Sequence, residues 1–239
     1  IFYEGPTYTK DDHHQYWTWF TWANRAIAEG RFEAQRQARE TPETWFDDLF
    51  KRVGNSAALT PPPVTGEKVD YPAAKLRGDN LLLVAGKQGV PVEIALKHHP
   101  LARYESLLVW ELRGADFAPV ANGTIAQNQT GAIAFTPDND AIYVIAATAG
   151  ACAYSILSST APLTIYAGDD ASFIGPVPRL FFSVPENTAS FTIKATGQGR
   201  ENVRVNVFDA SSAAAATGQT TTKDNAVDIR VECGNRPGG

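Results

Sequence analysis

The chain has 239 residues, of which 44% are hydrophobic and 20% charged, and its formal net charge is -5. This composition excludes a wholly disordered chain. The absence of a Lys/Arg-rich run argues against a nucleic-acid-binding surface. No apolar stretch reaches the roughly 18 residues of a spanning helix, so we expect no membrane span.

The sequence contains no methionine and starts at Ile1. A primary translation product needs an initiator residue. We therefore expect a processed product, a fragment, or a chain whose first part is missing. No signal peptide is visible in the sequence, and removal of one before Ile1 is one explanation of this start.

Helical periodicity dominates residues 10–53. One helix face is indicated by residues that recur at spacings of three or four, namely His13, Trp17, Phe20, Asn24 and Ile27. A second helix is predicted after Pro42, with an apolar face formed by Trp45, Phe46, Leu49, Phe50 and Val53. These features predict a helical segment over residues 1–57. We expect it to dock onto the rest of the chain or onto another chain.

The pattern changes after a linker predicted at residues 58–70, which holds the stiff run Pro61–Pro63. Short β-prone runs separated by turn residues then fill residues 71–239. Such a series without helices predicts a mainly β domain, an antiparallel β-sandwich of jelly-roll type. We expect strands at 81–85, 90–96, 106–112, 132–135, 142–147, 152–157, 163–166, 180–184, 190–195, 203–208 and 227–231, with an alanine-rich loop or edge at 213–216.

Two cysteines, Cys152 and Cys233, both fall in β-prone runs. A disulfide between them would close a loop of about 80 residues and suit an oxidising compartment. Two buried free thiols are the equally weighted alternative. We expect the two cysteines to lie close enough to bridge.

Metal-ligand residue types cluster at three places. His13 lies in an Asp-Asp-His-His run, but adjacent helical residues diverge by about 100°. Few of the four side chains can therefore reach one ion, and a capped helix start is the simpler interpretation. Asp169 and Asp170 are interpreted as turn residues, and Ca²⁺ binding by their carboxylates is the less favoured alternative. We expect no other cofactor. His98 and His99 are interpreted as solvated loop residues at a strand end.

Aromatic side chains give the remaining ligand signal, because a flat apolar ring suits the face of a sugar. Core packing is the competing interpretation, above all for Trp110, which sits in an apolar run. The candidate platform residues are Trp19, Trp22, Tyr104, Trp110 and Tyr166.

The stretch LFFSVPENTASFTI at residues 180–193 resembles β-sandwich modules of bacterial secreted glycan-active proteins. In these modules an aromatic strand ends in Val-Pro, and a polar turn and a Phe-containing strand follow. The stretch GRENVRVNVFD at 199–209 is similar to the continuation of that pattern, although Ala-Ser-Ser follows Asp209 here in place of Pro-Asp-Gly. Residues 10–53 resemble the last helices of a larger catalytic domain in glycoside-hydrolase-like proteins.

This resemblance implies a secreted, periplasmic or extracellular protein whose partner is a polysaccharide or oligosaccharide. Three functions follow as hypotheses. The first is a non-catalytic, carbohydrate-binding or accessory sandwich. The second is a polysaccharide hydrolase with a carboxylate pair in its loops, drawn from Asp138, Asp140, Asp169 and Asp170. The third is a structural or assembly subunit that docks through residues 10–53.

Overall fold

The computed structural model describes residues 56–59, 68–167, 171–182, 184, 188–199 and 201–233. Thirteen β-strands and no helix occur within these ranges, and every strand pairing there is antiparallel. The prediction of a mainly β, antiparallel protein is confirmed for this part of the chain. The predicted helices of residues 10–53 and the run Pro61–Pro63 lie outside the described residues.

The strands follow one another at short intervals along the chain. They are β1 (Ser56–Ala57), β2 (Val69–Asp70), β3 (Leu76–Gly86), β4 (Val92–His99), β5 (Leu108–Arg113), β6 (Pro119–Ile125), β7 (Thr130–Phe135), β8 (Ala141–Ser159), β9 (Leu163–Tyr166), β10 (Ser190–Thr196), β11 (Arg204–Phe208), β12 (Ala214–Gln219) and β13 (Ala226–Glu232).

The chain divides into two compact units, one ending at Phe182 and the other comprising the residues that follow it. The region predicted as a single domain, 71–239, therefore includes parts of both units. The sheet of the first unit also takes in β1 and β2, which fall within the predicted helical segment and linker. Ala58 and Leu59 are buried beside β1.

Strand β8 organises the sheet of the first unit. One of its edges pairs with β3 and, near its end, with β2. Residues 144–148 of β8 also pair with β5, whereas residues 153–159 pair with β4. The sheet continues from β3 to β9 and β1, from β4 to β7, and from β5 to β6.

A bulge interrupts β8 between its two halves. The pairing with β3 shifts register between Arg77 and Asp79, where the partner changes from Ala153 to Thr148. Gly150 and Gly78 have φ of 56° and 70°, a left-handed conformation that glycine adopts without a steric cost. The sequence predicted two strands, 142–147 and 152–157, because Gly150 reads as a break. The structure joins them into one strand with a bulge.

Both halves of β8 contribute to one hydrophobic core. Tyr143 and Ile145 come from the first half, Tyr154 and Ile156 from the second, and all four are buried. Each fully buried large aliphatic side chain stabilises the fold by about 1.5–3 kcal/mol relative to exposure. Other fully buried members are Leu76, Leu82, Ile94, Leu96, Leu108, Leu112, Ile133 and Ile165.

Besides β1 and β2, which were not predicted as strands, two strand predictions were wrong. Strand β6 was missed, because Pro119, Asn122 and Gly123 all have low β-propensity; it forms because hairpin pairing with β5 overrides that preference. The described residues of the predicted strand 180–184, which are 180–182 and 184, form no strand. Among them only Phe181 makes an isolated bridge, in which its backbone N–H and C=O both bond to Ala58.

The second unit consists of two antiparallel ribbons, β10–β13 and β11–β12. Val207, Ile229 and Val231 form its small buried core, with partly buried apolar neighbours from β10 to β13. The alanine-rich run, predicted as a loop or an edge, becomes β12, which pairs only with β11 within the described residues.

The β11–β12 turn forms without Pro-Asp-Gly. The Asp209 carboxylate accepts hydrogen bonds from the backbone N–H groups of Ser211 and Ala213 at 2.9 and 3.0 Å. Ser212 adopts a φ of 66°, the conformation that a glycine would otherwise supply. The carboxylate thus fixes the turn that its neighbours do not favour.

The predicted disulfide is not formed: Cys152 and Cys233 are free thiols. Cys152 is buried in the first unit, on β8, and its Sγ lies 3.5 Å from the carbonyl oxygen of Tyr104. Cys233 follows the last strand of the second unit. The two cysteines therefore belong to separately packed units, which β-propensity along the sequence does not reveal.

Gly123 should tolerate no side chain, because a Cβ there would lie 2.7 Å from the ring of Trp110 on the paired strand. We expect Gly123→Val to lower the free energy of unfolding by about 1–3 kcal/mol, the usual cost of overpacking. Thr124→Val is the matched control, since Thr124 is exposed on the same strand. Urea denaturation of both variants makes the comparison, and equal stabilities would contradict this packing.

Candidate functional site

The loop between β4 and β5, residues 100–107, carries Tyr104, the most exposed of the predicted platform residues that the structure describes. The side chain of Tyr104 is 48% exposed, and Leu107 in the same loop is 44% exposed. Arg103 and Glu105 flank Tyr104 and are exposed too. The loop therefore presents an aromatic ring between two charged groups to solvent.

The backbone of this loop is fixed although its side chains are exposed. Tyr104 N–H donates to the carbonyl oxygen of Leu101 at 3.1 Å, which closes a turn. The carbonyl oxygen of Tyr104 accepts hydrogen bonds from Gln127 Nε2 at 3.1 Å and from Cys152 Sγ at 3.5 Å. Because three partners fix the backbone, binding through the ring requires little further ordering of the loop.

His98 clamps this loop to its neighbour. Its imidazole is fully buried, with Nε2 2.9 Å from the carbonyl oxygen of Ser106 and Nδ1 3.2 Å from the backbone nitrogen of Asn128. A carbonyl only accepts and a backbone N–H only donates. The ring is therefore neutral, with its proton on Nε2, and it ties the β4–β5 loop to the β6–β7 turn.

The interpretation of His98 as a solvated loop residue was wrong. Val92, Ile94, Leu96 and His98 alternate along β4, and all four are buried. The period of two that identifies the inner face of this strand extends through His98. The signal was present in the sequence, but the predicted strand, 90–96, ended before His98. Gln127, which no pattern singled out, is the other contributor that sequence reasoning missed.

His99 and Ser155 form a hydrogen-bonded pair that has a structural role. Ser155 Oγ donates to the carbonyl oxygen of Ala74 at 2.6 Å, so His99 Nε2–H donates to Ser155 Oγ at 2.9 Å. Burial lowers the pKa of His99, and Lys75 and Lys97 lower it further. The serine hydroxyl is buried and already committed to a carbonyl, so the pair lacks the free proton transfer that nucleophilic catalysis requires.

Two of the loop acids that we considered for a carboxylate pair, Asp138 and Asp140, fix loops. Asp138 accepts a hydrogen bond from the hydroxyl of Tyr143, which in turn accepts from the backbone N–H of Asp138 at 3.1 Å. Asp140 Oδ1 accepts from the backbone N–H of Gln88 at 2.7 Å, linking the β7–β8 loop to the β3–β4 turn. The hydrogen bond from Tyr143 lowers the pKa of Asp138, whereas a general acid needs a raised pKa.

The other predicted platform residues differ in environment. Trp110 points to the inner side of β5, where it packs against the core and lies over Gly123. This placement fits the core interpretation. Tyr166 is half-buried at the end of β9, opposite Ser56. Trp19, Trp22, His13, Asp169 and Asp170 lie outside the described residues, so their predicted roles stay predictions.

A shallow, open depression of about 480 Å³ lies over β4 and β7. Pro91, Glu93, Ala134, Phe135 and Thr160 are among its lining residues, and Glu93 is the one carboxylate in the lining. The described residues contain no group of three or more His, Cys, Asp or Glu arranged to hold a metal ion. Over the same residues, no helix is long and apolar enough to cross a membrane.

No protein-family model matches the chain, and no curated protein is significantly similar to it.

Removal of the His98 ring should loosen the loop clamp. We expect His98→Leu to lower the free energy of unfolding by about 2 kcal/mol, since the Ser106 carbonyl and the Asn128 amide both lose a partner. Hydrogen exchange at Asn128 should accelerate in the same variant. Arg103→Ala, in the same loop but exposed, serves as the control and should change neither quantity. A variant that keeps both the stability and the slow exchange would refute the clamp.

The Tyr143 hydroxyl should set the acid titration of Asp138. We expect Tyr143→Phe to raise the pKa of Asp138 towards its ordinary value, as followed by NMR of the carboxyl carbon. A depressed folded-state pKa gives stability above the unfolded pKa of about 3.9 that is lost as the pH falls through the folded value. The wild type should therefore lose more stability in that acidic window than the variant. Tyr166→Phe should leave the Asp138 titration unchanged; an unshifted Asp138 in Tyr143→Phe contradicts the assignment.

Proposed function

We propose that this chain is a non-catalytic binding module of a secreted glycan-active protein, and that its first unit is a sandwich folded about β8. The support for the sandwich is the single core shared by the two halves of β8, whose outer neighbours differ. Strands that change sheets through a bulge build such corners in packed sheets.

The β4–β5 loop carries the proposed binding role. Tyr104 offers an exposed ring on a backbone held by Leu101, Gln127 and Cys152. A fixed aromatic platform suits the apolar face of a sugar ring, and the flanking Arg103 and Glu105 suit its hydroxyl groups. This exposed aromatic on a fixed backbone is the observation on which the proposal depends.

A binding role is favoured over hydrolysis by the hydrogen bonds of the two loop acids that the structure describes, Asp138 and Asp140. Asp138 and Asp140 each hold a loop through a hydrogen bond, and the pKa of Asp138 is lowered. The resemblance of residues 180–193 and 199–209 to modules of secreted glycan-active proteins supports the glycan as partner and an extracellular or periplasmic location. The proposed docking of residues 10–53 onto another domain or chain accompanies this function.

Binding to polysaccharides tests the proposal. The wild-type chain should be retained on at least one member of a panel of insoluble and soluble glycans in affinity electrophoresis, without release of reducing sugar. Tyr104→Ala should weaken that binding about fivefold to tenfold, as expected for the loss of one ring-stacking contact.

Val120→Ala is the control, because Val120 is equally exposed on β6 and outside the loop. It should bind like the wild type. Failure of the wild type to bind any glycan, or equal binding by Tyr104→Ala, would refute the proposal. Sugar release that is lost when Asp138 or Asp140 is replaced by Asn would instead establish a hydrolase.

A further inference from the structure

Strand β7 forms an open edge of the first unit's sheet. Within the described part of the chain it pairs with β4 alone. The register sets Val92 opposite Phe135, Ile94 opposite Ile133 and Lys97 opposite Thr130. One side of β7 is thus fully paired, and the other has no strand beside it among these residues.

The hydrogen-bond pattern shows which backbone groups face this edge. His98 N–H donates to the carbonyl oxygen of Gln129, and Glu93 uses its N–H and C=O towards Thr160 on the opposite side of β4. Backbone groups alternate in direction along an antiparallel strand. Thr130, Ala132 and Ala134 therefore direct their N–H and C=O groups outward, away from β4.

This edge lacks the features that normally prevent an edge strand from pairing with a strand of another chain. The sequence of β7, TGAIAF, contains no charged residue and no proline. The side chains of Thr130, Ala132 and Ala134 are small and exposed, so they leave the backbone accessible. An uncharged edge with three donors and three acceptors is suited to accept another strand.

The charged residues on β4, the strand paired with β7, indicate that a second copy of β7 can pair with this open edge. On the outward face of β4, Glu93 lies opposite Ala134 and Lys97 lies opposite Thr130. If a second β7 pairs antiparallel about a two-fold axis at Ala132, Ala134 meets Thr130 of the second copy. A row of neighbouring residues then runs across the four strands, from Glu93 and Ala134 of one copy to Thr130 and Lys97 of the other. The two-fold axis produces this row twice.

The dimensions of a sheet permit this charge pairing. Neighbouring strands lie about 4.8 Å apart, so three spacings put the two Cα atoms about 14 Å apart. Extended Glu and Lys side chains together span most of that distance above the small residues between them. The central row consists of alanines alone, Ala95 and Ala132 from each copy. The same two-fold axis sets Thr130, Ala132 and Ala134 in hydrogen-bonded pairs.

We propose that β7 is a self-association surface, through which two copies of this chain join their sheets into one. Self-complementarity about a two-fold axis is the requirement for a closed dimer. An edge of six residues is a small interface, so the dimer should be weak and depend on protein concentration and on salt.

Sedimentation equilibrium of the full chain tests this proposal. The wild type should dimerise reversibly, and Ala132→Pro should abolish dimerisation by removing the central N–H, a change that an open edge tolerates without unfolding. Lys97→Glu and Glu93→Lys should each raise the dimer Kd about tenfold, because two attractive rows become repulsive. The double variant Glu93→Lys with Lys97→Glu should restore the wild-type Kd to within about threefold.

Lys194→Glu, on β10 of the second unit, is the charge control and should leave the Kd unchanged. Circular dichroism melts confirm that each variant is folded. A wild type that is monomeric at every concentration overturns the proposal, and so does a dimer that persists in Ala132→Pro. Failure of the double variant to recover overturns the charge pairing. Slow hydrogen exchange at the Ala132 N–H in a monomer would show that another segment of the same chain pairs with β7, and this result would also overturn the self-association proposal.

Discussion

Strand β8 is 19 residues long and has backbone partners along both of its edges. Four other strands hydrogen-bond to it directly, and the remaining strands of the first unit's sheet are attached through these. The bulge around Gly150 permits this, since it lets one strand change partners from β5 to β4 without ending. The position of every loop in the sheet follows from that one continuous strand.

The candidate loop shows how the core fixes a surface. Cys152 lies in the bulged part of β8 and contacts the carbonyl of Tyr104, while His98 extends the inner face of β4 to the base of the same loop. Buried groups thus hold the backbone, and the tyrosine side chain carries the exposed chemistry. The conformation of this loop is therefore set by buried residues that do not line the exposed surface.

Periodicity along the sequence predicted the strand class well where it was uninterrupted. The run 163–166 matches β9, and the alternation in 190–195 and 203–208 matches β10 and β11 to within a residue or two. It failed where tertiary pairing overrides local preference, as in β6, and where a glycine within a strand imitates a break, as in β8. Apolar residues around Phe181 predicted a strand where only a bridge forms.

The candidate site was less accessible to sequence reasoning. Aromatic composition named both Tyr104 and Trp110 as candidates, and the apolar run around Trp110 favoured core packing for it, which fits its place against the core. The partners that fix Tyr104 come from positions 23 and 48 residues further along the chain. Contacts at that separation are set by register, and register depends on bulges that residue patterns do not locate.

The late position of β8 in the sequence has a consequence for how the first unit assembles. Residues 76–113, which include β3, β4 and β5, are synthesised before any residue of their central partner has been made. Non-local pairing of this kind delays folding, because a long loop must close before any strand gains its neighbour. The edges of these three strands that pair with β8 therefore stay unpaired until about residue 159 has been synthesised. During that interval their apolar faces and open edges are the part of the nascent chain most prone to non-native association.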